Sequence, residues 1–289
     1  MNRIRESAAL RKYPWGVMRL ADGPQVIGVA SGKGGVGKTA VSVNLAVALA
    51  QRGHRVMLFD ADLGLANAQI ALGCRTEFNF SHVLAGTHSL EDIIVTTRQG
   101  IRLVPGASGV AELASLGPVE SAAIVDAFGG LREELDYLIV DAAAGIADSV
   151  TMFMRAAHHR LIVVRDEPSS IADAYGIIKV LMKDFRLEHI HVVPNMVASQ
   201  GAGRQLHQRI NDVCRRFLEH EVGYLESIAH DDHMLSAIRA YKTVMEHAPG
   251  GTAARDFRRL AAAVETLPRP QDATGGIQFF LERLLNGAT

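Results

Sequence analysis

The residues with the clearest chemical potential lie in VASGKGGVGKTAVSVNL, positions 29–45. Lys33, Lys38 and Thr39 share a loop with Gly32, Gly34, Gly35, Val36 and Gly37, between an apolar run and a helical one. Glycines let the backbone wrap closely, and N–H groups at a helix start converge on an anion. Two patterns fit. Gly32, Gly34 and Gly37 spell G-x-G-x-x-G, the dinucleotide fingerprint, whereas Gly32 to Thr39 spell G-x-x-x-x-G-K-[ST], the P-loop. Asp60 supplies the acid that the first pattern wants roughly 20 residues on. The second pattern accounts for more. Lys38 suits β/γ-phosphates and the Thr39 hydroxyl suits Mg²⁺; Asp60 and Asp62 end the next apolar run, and Asp141 ends YLIVD, where a metal-supporting aspartate belongs. The residues favour ATP and Mg²⁺, with a nicotinamide-dependent oxidoreductase as the rival of another class. Lys33 is surplus. Directly after Gly32 it cannot easily reach phosphates held by its own loop, so its simplest use is across a dimer interface; the alternative is a solvated loop lysine.

The elements that must hold this loop read as alternating strands and helices. Apolar runs fall at 25–31, 55–60, 101–105, 136–141, 160–166, 189–195 and 223–229, with helical patterns at 38–51, 119–134, 170–186 and 204–219. Several runs are nearly continuous Val, Ile and Leu, as strands covered on both faces are. The alternation predicts an α/β fold with a doubly wound, mostly parallel sheet and helices on both faces. The expected organisation is an extension over 1–24, an ATPase domain over 25–266, a linker over 267–276 and an amphipathic helix over 277–289.

The loop SGKGGVGKT resembles the deviant Walker A motif of the MinD/ParA class of ATPases, in which the second lysine acts across a dimer. VMLFDADLGLANAQIALG, DAAAGIADSV, RDEPSSIADAYGIIKVL and IQFFLERLL are similar to the flagellar number regulators, FleN/FlhG, over residues 25–286. That resemblance implies a SIMIBI-type, MinD-like fold and roles for individual residues. Lys38 and the Gly34–Thr39 amides would hold phosphates. Thr39 would ligate Mg²⁺, supported by Asp60 and Asp141 through water. Asp62 would orient the attacking water from switch I. Gly145 in switch II would sense the γ-phosphate, Asn195 would read the adenine edge, and Lys33 would reach the second subunit's nucleotide. The resemblance also implies an ATP-driven dimer at the inner face of the cell membrane. Its implied partners are a FleQ-type transcription activator and the GTPase FlhF. Three departures stand out. Ala142 and Ala143 follow Asp141 where the family has a threonine, so a switch II hydroxyl is missing and slower turnover is implied. Arg165 replaces a common cysteine. Of the N-terminal D-Q-A-x-x-L-R motif that stimulates FlhF, only Leu10-Arg11 and their spacing remain, so FlhF stimulation is not implied. The rival within the class is a MinD- or ParA-like ATPase positioning another cargo.

On a helix, Ile277, Phe280, Leu281, Leu284 and Leu285 form one apolar stripe and Phe279 falls off it, which suits marginal membrane binding strengthened by pairing. Docking on the protein's own surface is the alternative. The 30 basic and 31 acidic residues nearly cancel, so no overall basic field points to nucleic acid. Cys74 and Cys214 lie far apart without metal-ligand spacing, and the N-terminus lacks a signal-peptide pattern; a cytoplasmic protein is expected. The HDDH run at 230–233 is read as loop rather than as a metal cluster.

Overall fold

The computed structural model describes residues 23–64, 66–107, 117–131 and 134–269, together with Arg11–Lys12, Met18–Arg19 and Phe279. Strands β1 (Arg11–Lys12) and β2 (Met18–Arg19) pair with each other. The main body then runs β3 (Gln25–Ser31), α1 (Lys38–Gln51), β4 (Val56–Ala61), α2 (Ala68–Leu72), α3 (Phe80–Leu84), α4 (Leu90–Ile93), β5 (Val95–Thr96), β6 (Arg102–Val104) and α5 (Pro118–Ala127). It continues with β7 (Tyr137–Ala144), α6 (Asp148–Ala156), β8 (His159–Val164), α7 (Pro168–Lys179), β9 (Ile190–Val197) and α8 (Gln200–Leu218). Last come β10 (Gly223–Tyr224), β11 (Ile228–Ala229), α9 (Asp232–Arg239), α10 (Val244–His247) and α11 (Thr252–Glu265).

The sheet order is β10-β9-β8-β3-β7-β4-β6-β5, with β11 on a second stretch of β9. Every neighbouring pair is parallel except β5 with β6. Val26 and Ala30 of β3 enter a core with α5, α6, α7 and α8; Ile27 and Val29 enter the opposite core with α1 and α11. This two-sided burial explains the unbroken apolar runs. The loop after β3 thus emerges from the middle of the sheet at its carboxyl edge, where chain crossings diverge and α/β folds place ligands.

Three expectations change. The helix read over 119–134 ends at Ala127, ahead of Gly129 and Gly130. The strand read over 223–229 splits into two pieces: Gly223 and Tyr224 pair with His191 and Val192, then Ile228 pairs with Asn195. The HDDH run starts a helix. Asp231 caps α9 by accepting from the His233 amide at 3.0 Å, and its other oxygen accepts from Ala253 at 3.0 Å. Among the described residues no group of three His, Cys, Asp or Glu could hold a metal ion. In the tail, Phe279, the described residue there and one off the predicted stripe, packs inside. It is 1% exposed, edge-on to Phe128 at 5.1 Å between ring centroids. Phe128 in turn packs on Phe59 at 5.1 Å. The stripe residues lie outside the described set, as does the expected linker beyond Arg269. The linker's first part is fixed: the Pro268 carbonyl accepts from Gln25 Nε2 at 3.3 Å and lies 2.8 Å from His159 Nε2.

A histidine group sits at this end of the sheet. Burial pulls His158, His159 and His191 down to about 4, with neighbouring positive groups adding to it. His158 Nδ1 accepts from the Val26 amide at 2.9 Å, a bond that its protonation would break. Between pH 6.5 and 4 the unfolded chain therefore binds more protons at these three sites than the folded one, and stability is lost as the pH falls. Asp60, raised to about 7 chiefly by burial and then by the charge on Asp141, has the opposite sign and offsets one proton. Thermal melts from pH 7 down to 4.5 should show a steady loss of Tm across that window; an unchanged Tm would contradict this account.

Candidate active site

Glycines let two elements, α7 and β9, close on the loop between β3 and α1. At Gly32 a Cβ would run into the backbone of Asp173, so α7 lies directly against the loop's start. At Gly37, φ is 89° and a Cβ would strike the Asn195 side chain. A left-handed φ with no lateral space is met only by glycine. Asn195 Nδ2 donates to the Val36 carbonyl at 2.8 Å, bracing the loop from below. Gly34 and Gly35 face open space.

Lys38 opens α1 and lies inward. Its Nζ donates to Asp141 Oδ1 at 2.7 Å, with the two side chains 7% and 0% exposed. Ser42, one turn further along α1, donates to the same oxygen at 2.9 Å. Asp141 Oδ2 is buried with no hydrogen-bond partner among the described residues. Asp60 stands in register with Asp141 on the adjoining strand β4 and is also fully buried. The edge of the sheet thus carries two carboxylates, one ammonium group and an acceptor oxygen to spare. Thr39 is half-buried on the first turn of α1, and Asp62 is half-buried just past β4. Gly145 adopts φ 96° just past β7, and its amide donates to the Ser31 carbonyl at 2.8 Å.

Lys33 points elsewhere. Its Nζ donates to Ser169 Oγ at 2.7 Å and lies 3.6 Å from Glu167, at the start of α7. Arg165 holds the other side of Glu167 at 3.2 Å. The site therefore gathers Lys38, Asp60, Asp141, Asn195 and the glycine loop, with Thr39, Asp62 and Gly145 on its rim and Lys33 turned outward. Sequence reasoning missed Ser42, Glu167 and Ser169. Ser42 was detectable as a hydroxyl at i+4 from Lys38 on a helix that is otherwise mostly apolar.

Residues 27–244 match the family model described as the CobQ/CobB/MinD/ParA nucleotide binding domain. The chain belongs to this family. It is a P-loop ATPase of the MinD/ParA class. It is 43% identical over 261 residues to the antiactivator FleN of Pseudomonas aeruginosa, covering 90% of this chain and 93% of FleN. It is 34% identical to the flagellum site-determining protein YlxH of Helicobacter pylori, covering 90% and 89% of the two chains. Among solved structures, the septum site-determining protein MinD of Pyrococcus horikoshii, complexed with Mg-ADP, superposes with a TM-score of 0.71 at 26% identity. That match covers 84% of this chain and 96% of MinD. The spare Asp141 oxygen, the inward lysine and the open space over Gly34 and Gly35 fit the Mg-nucleotide bound by that relative.

Proposed function

We propose that this ATPase is a dimerising switch that regulates flagellar number and placement. The observation that carries the reading is the similarity to FleN and YlxH over 90% of this chain. FleN's description as an antiactivator supports a transcription activator of the FleQ type as partner; FlhF is the second candidate. Electron microscopy of a deletion strain tests this. Altered flagellar number, restored by the wild-type gene and not by Lys38→Ala, is expected. Normal flagellation with displaced division sites would favour the MinD-like alternative.

In the proposed mechanism, Lys38 and the amides of Gly34–Thr39 hold the phosphates of ATP. Thr39 would hold Mg²⁺, with Asp141 supporting it through its spare oxygen. When bound, Mg²⁺ neutralises charge on the phosphate oxygens. Asp62 orients a water at the γ-phosphorus, whose bond to the bridging oxygen breaks to release ADP and phosphate. This is positioning and charge neutralisation without a covalent intermediate. Gly145 reads the γ-phosphate by exchanging its bond to Ser31 for one to phosphate. Lys33 reaches the second subunit's nucleotide by giving up Ser169 and Glu167. Its exposed ion pair is worth roughly 0–1 kcal/mol, so this release costs little.

Attachment to the membrane would use the tail stripe of Ile277, Phe280, Leu281, Leu284 and Leu285. Among the described residues no helix is long and apolar enough to cross a membrane. The buried Phe279 supports docking of the tail as the competing position. Burying such a side chain fully is worth roughly 1.5–3 kcal/mol, about 10- to 100-fold in an equilibrium. Phe279→Ala should weaken docking while leaving the stripe intact. Sedimentation with anionic liposomes in the absence of ATP should therefore rise. Unchanged or reduced sedimentation would mean that Phe279 does not hold the tail back.

A further inference from the structure

Asp60 does something that its place beside Asp141 does not suggest. Its Oδ2 accepts from the amides of Asn67 and Ala68 at 2.9 and 2.8 Å, and its Oδ1 accepts from the Asp62 amide at 3.3 Å. Both oxygens are thus turned to the backbone of the loop that follows β4. α2 starts at Ala68, and its N-cap residue, Asn67, makes no side-chain cap. The fully buried carboxylate of Asp60 takes that place, eight residues back in the chain. The loop's other side is fixed as well. The Ala66 amide donates to the Ala107 carbonyl at 3.3 Å, and a Cβ at Gly106 would strike the Asp60 carbonyl and press on Ala66 at 3.0 Å.

We infer that Asp60 is a positioning residue that fastens both ends of the 62–67 loop, and so holds Asp62 in place before nucleotide arrives. The chemistry requires a carboxylate. An aspartate has two oxygens to accept with, most fully when ionised, and the Asn67 and Ala68 amides oppose the burial that raises it; asparagine would aim an N–H₂ donor at amide donors and satisfy only one end. Charge-assisted bonds to backbone amides at a helix start are also the stronger kind. The catalytic consequence rests on the proposal that Asp62 orients water; the clamp itself does not.

Two measurements on the full-length protein test the inference. The first is hydrogen exchange without metal or nucleotide. In the wild type the Asn67 and Ala68 amides should be protected. In Asp60→Asn, which keeps one acceptor oxygen, one end should open: either the Asn67 and Ala68 amides or the Asp62 amide should exchange roughly tenfold faster or more, while β7 and the middle of α1 keep wild-type rates. If the variant does not fold, the wild-type result decides: unprotected amides at 67 and 68 overturn the clamp. The second is kinetic. Asp60→Asn should lower kcat by roughly tenfold or more, leave the KM for ATP and the Mg²⁺ requirement within about twofold, and add nothing further in an Asp62→Ala background. A kcat restored by raised Mg²⁺, or losses that multiply in the double variant, would assign Asp60 to the metal instead and overturn the inference. Should Asp62→Ala hydrolyse ATP normally, the role of Asp62 fails, while the exchange result still judges the clamp.

Discussion

Lys38→Ala is expected to abolish ATP binding at concentrations that saturate the wild type, with affinity falling by roughly 100-fold or more. Among the described residues the ammonium group is the cation within hydrogen-bond distance of Asp141, and it sits at the mouth of the loop that the phosphates would enter. A charged hydrogen bond to phosphate is lost, and the repulsion between two buried carboxylates and the incoming anion is left uncompensated. The variant should also be less stable. Removing one partner of a buried ion pair typically costs about 3–5 kcal/mol. Asp60 is already raised to about 7 by burial and by the charge on Asp141, and it loses the Lys38 charge that opposes them. Titration with a fluorescent ATP analogue checks the first effect and thermal melts the second. Binding within a few-fold of wild type would remove Lys38 from the phosphate site.

Asp62→Ala separates turnover from binding. Asp62 lies just past the end of β4 and is not among the groups proposed to hold the phosphates, so ATP affinity should change little. Losing the group that positions the attacking water should lower kcat by roughly 10²- to 10³-fold. With hydrolysis blocked, the ATP-bound form should accumulate. Single-turnover release of phosphate measures the first effect directly. A normal rate would assign Asp62 to turn structure alone.

The central sheet was legible because its strands are buried on both faces: QVIGVAS is a strand over the predicted 25–31, and DYLIVD extends only through three alanines beyond Asp141. The catalytic edge was legible because glycine, lysine and aspartate types leave few alternatives at that spacing. What the chain alone concealed were contacts between distant segments. Nothing local says that Asn195 braces Val36, that Asp60 caps α2, or that Lys33 lies on Ser169, 136 residues away. The burial of Phe279 was hidden for a related reason. Helical periodicity ranks side chains by a shared face, but Phe279 is buried by Phe128 on another part of the chain, and periodicity carries no information about that partner.

The claim that Lys33 serves a second subunit is the one on which the switch depends, and sedimentation velocity tests it most directly. Asp62→Ala should sediment as a monomer without nucleotide and as a dimer with Mg-ATP. Adding Lys33→Ala should return the Mg-ATP sample to monomer while ATP binding persists. A monomer in Asp62→Ala with saturating Mg-ATP, or a dimer that survives the loss of Lys33, would contradict the account.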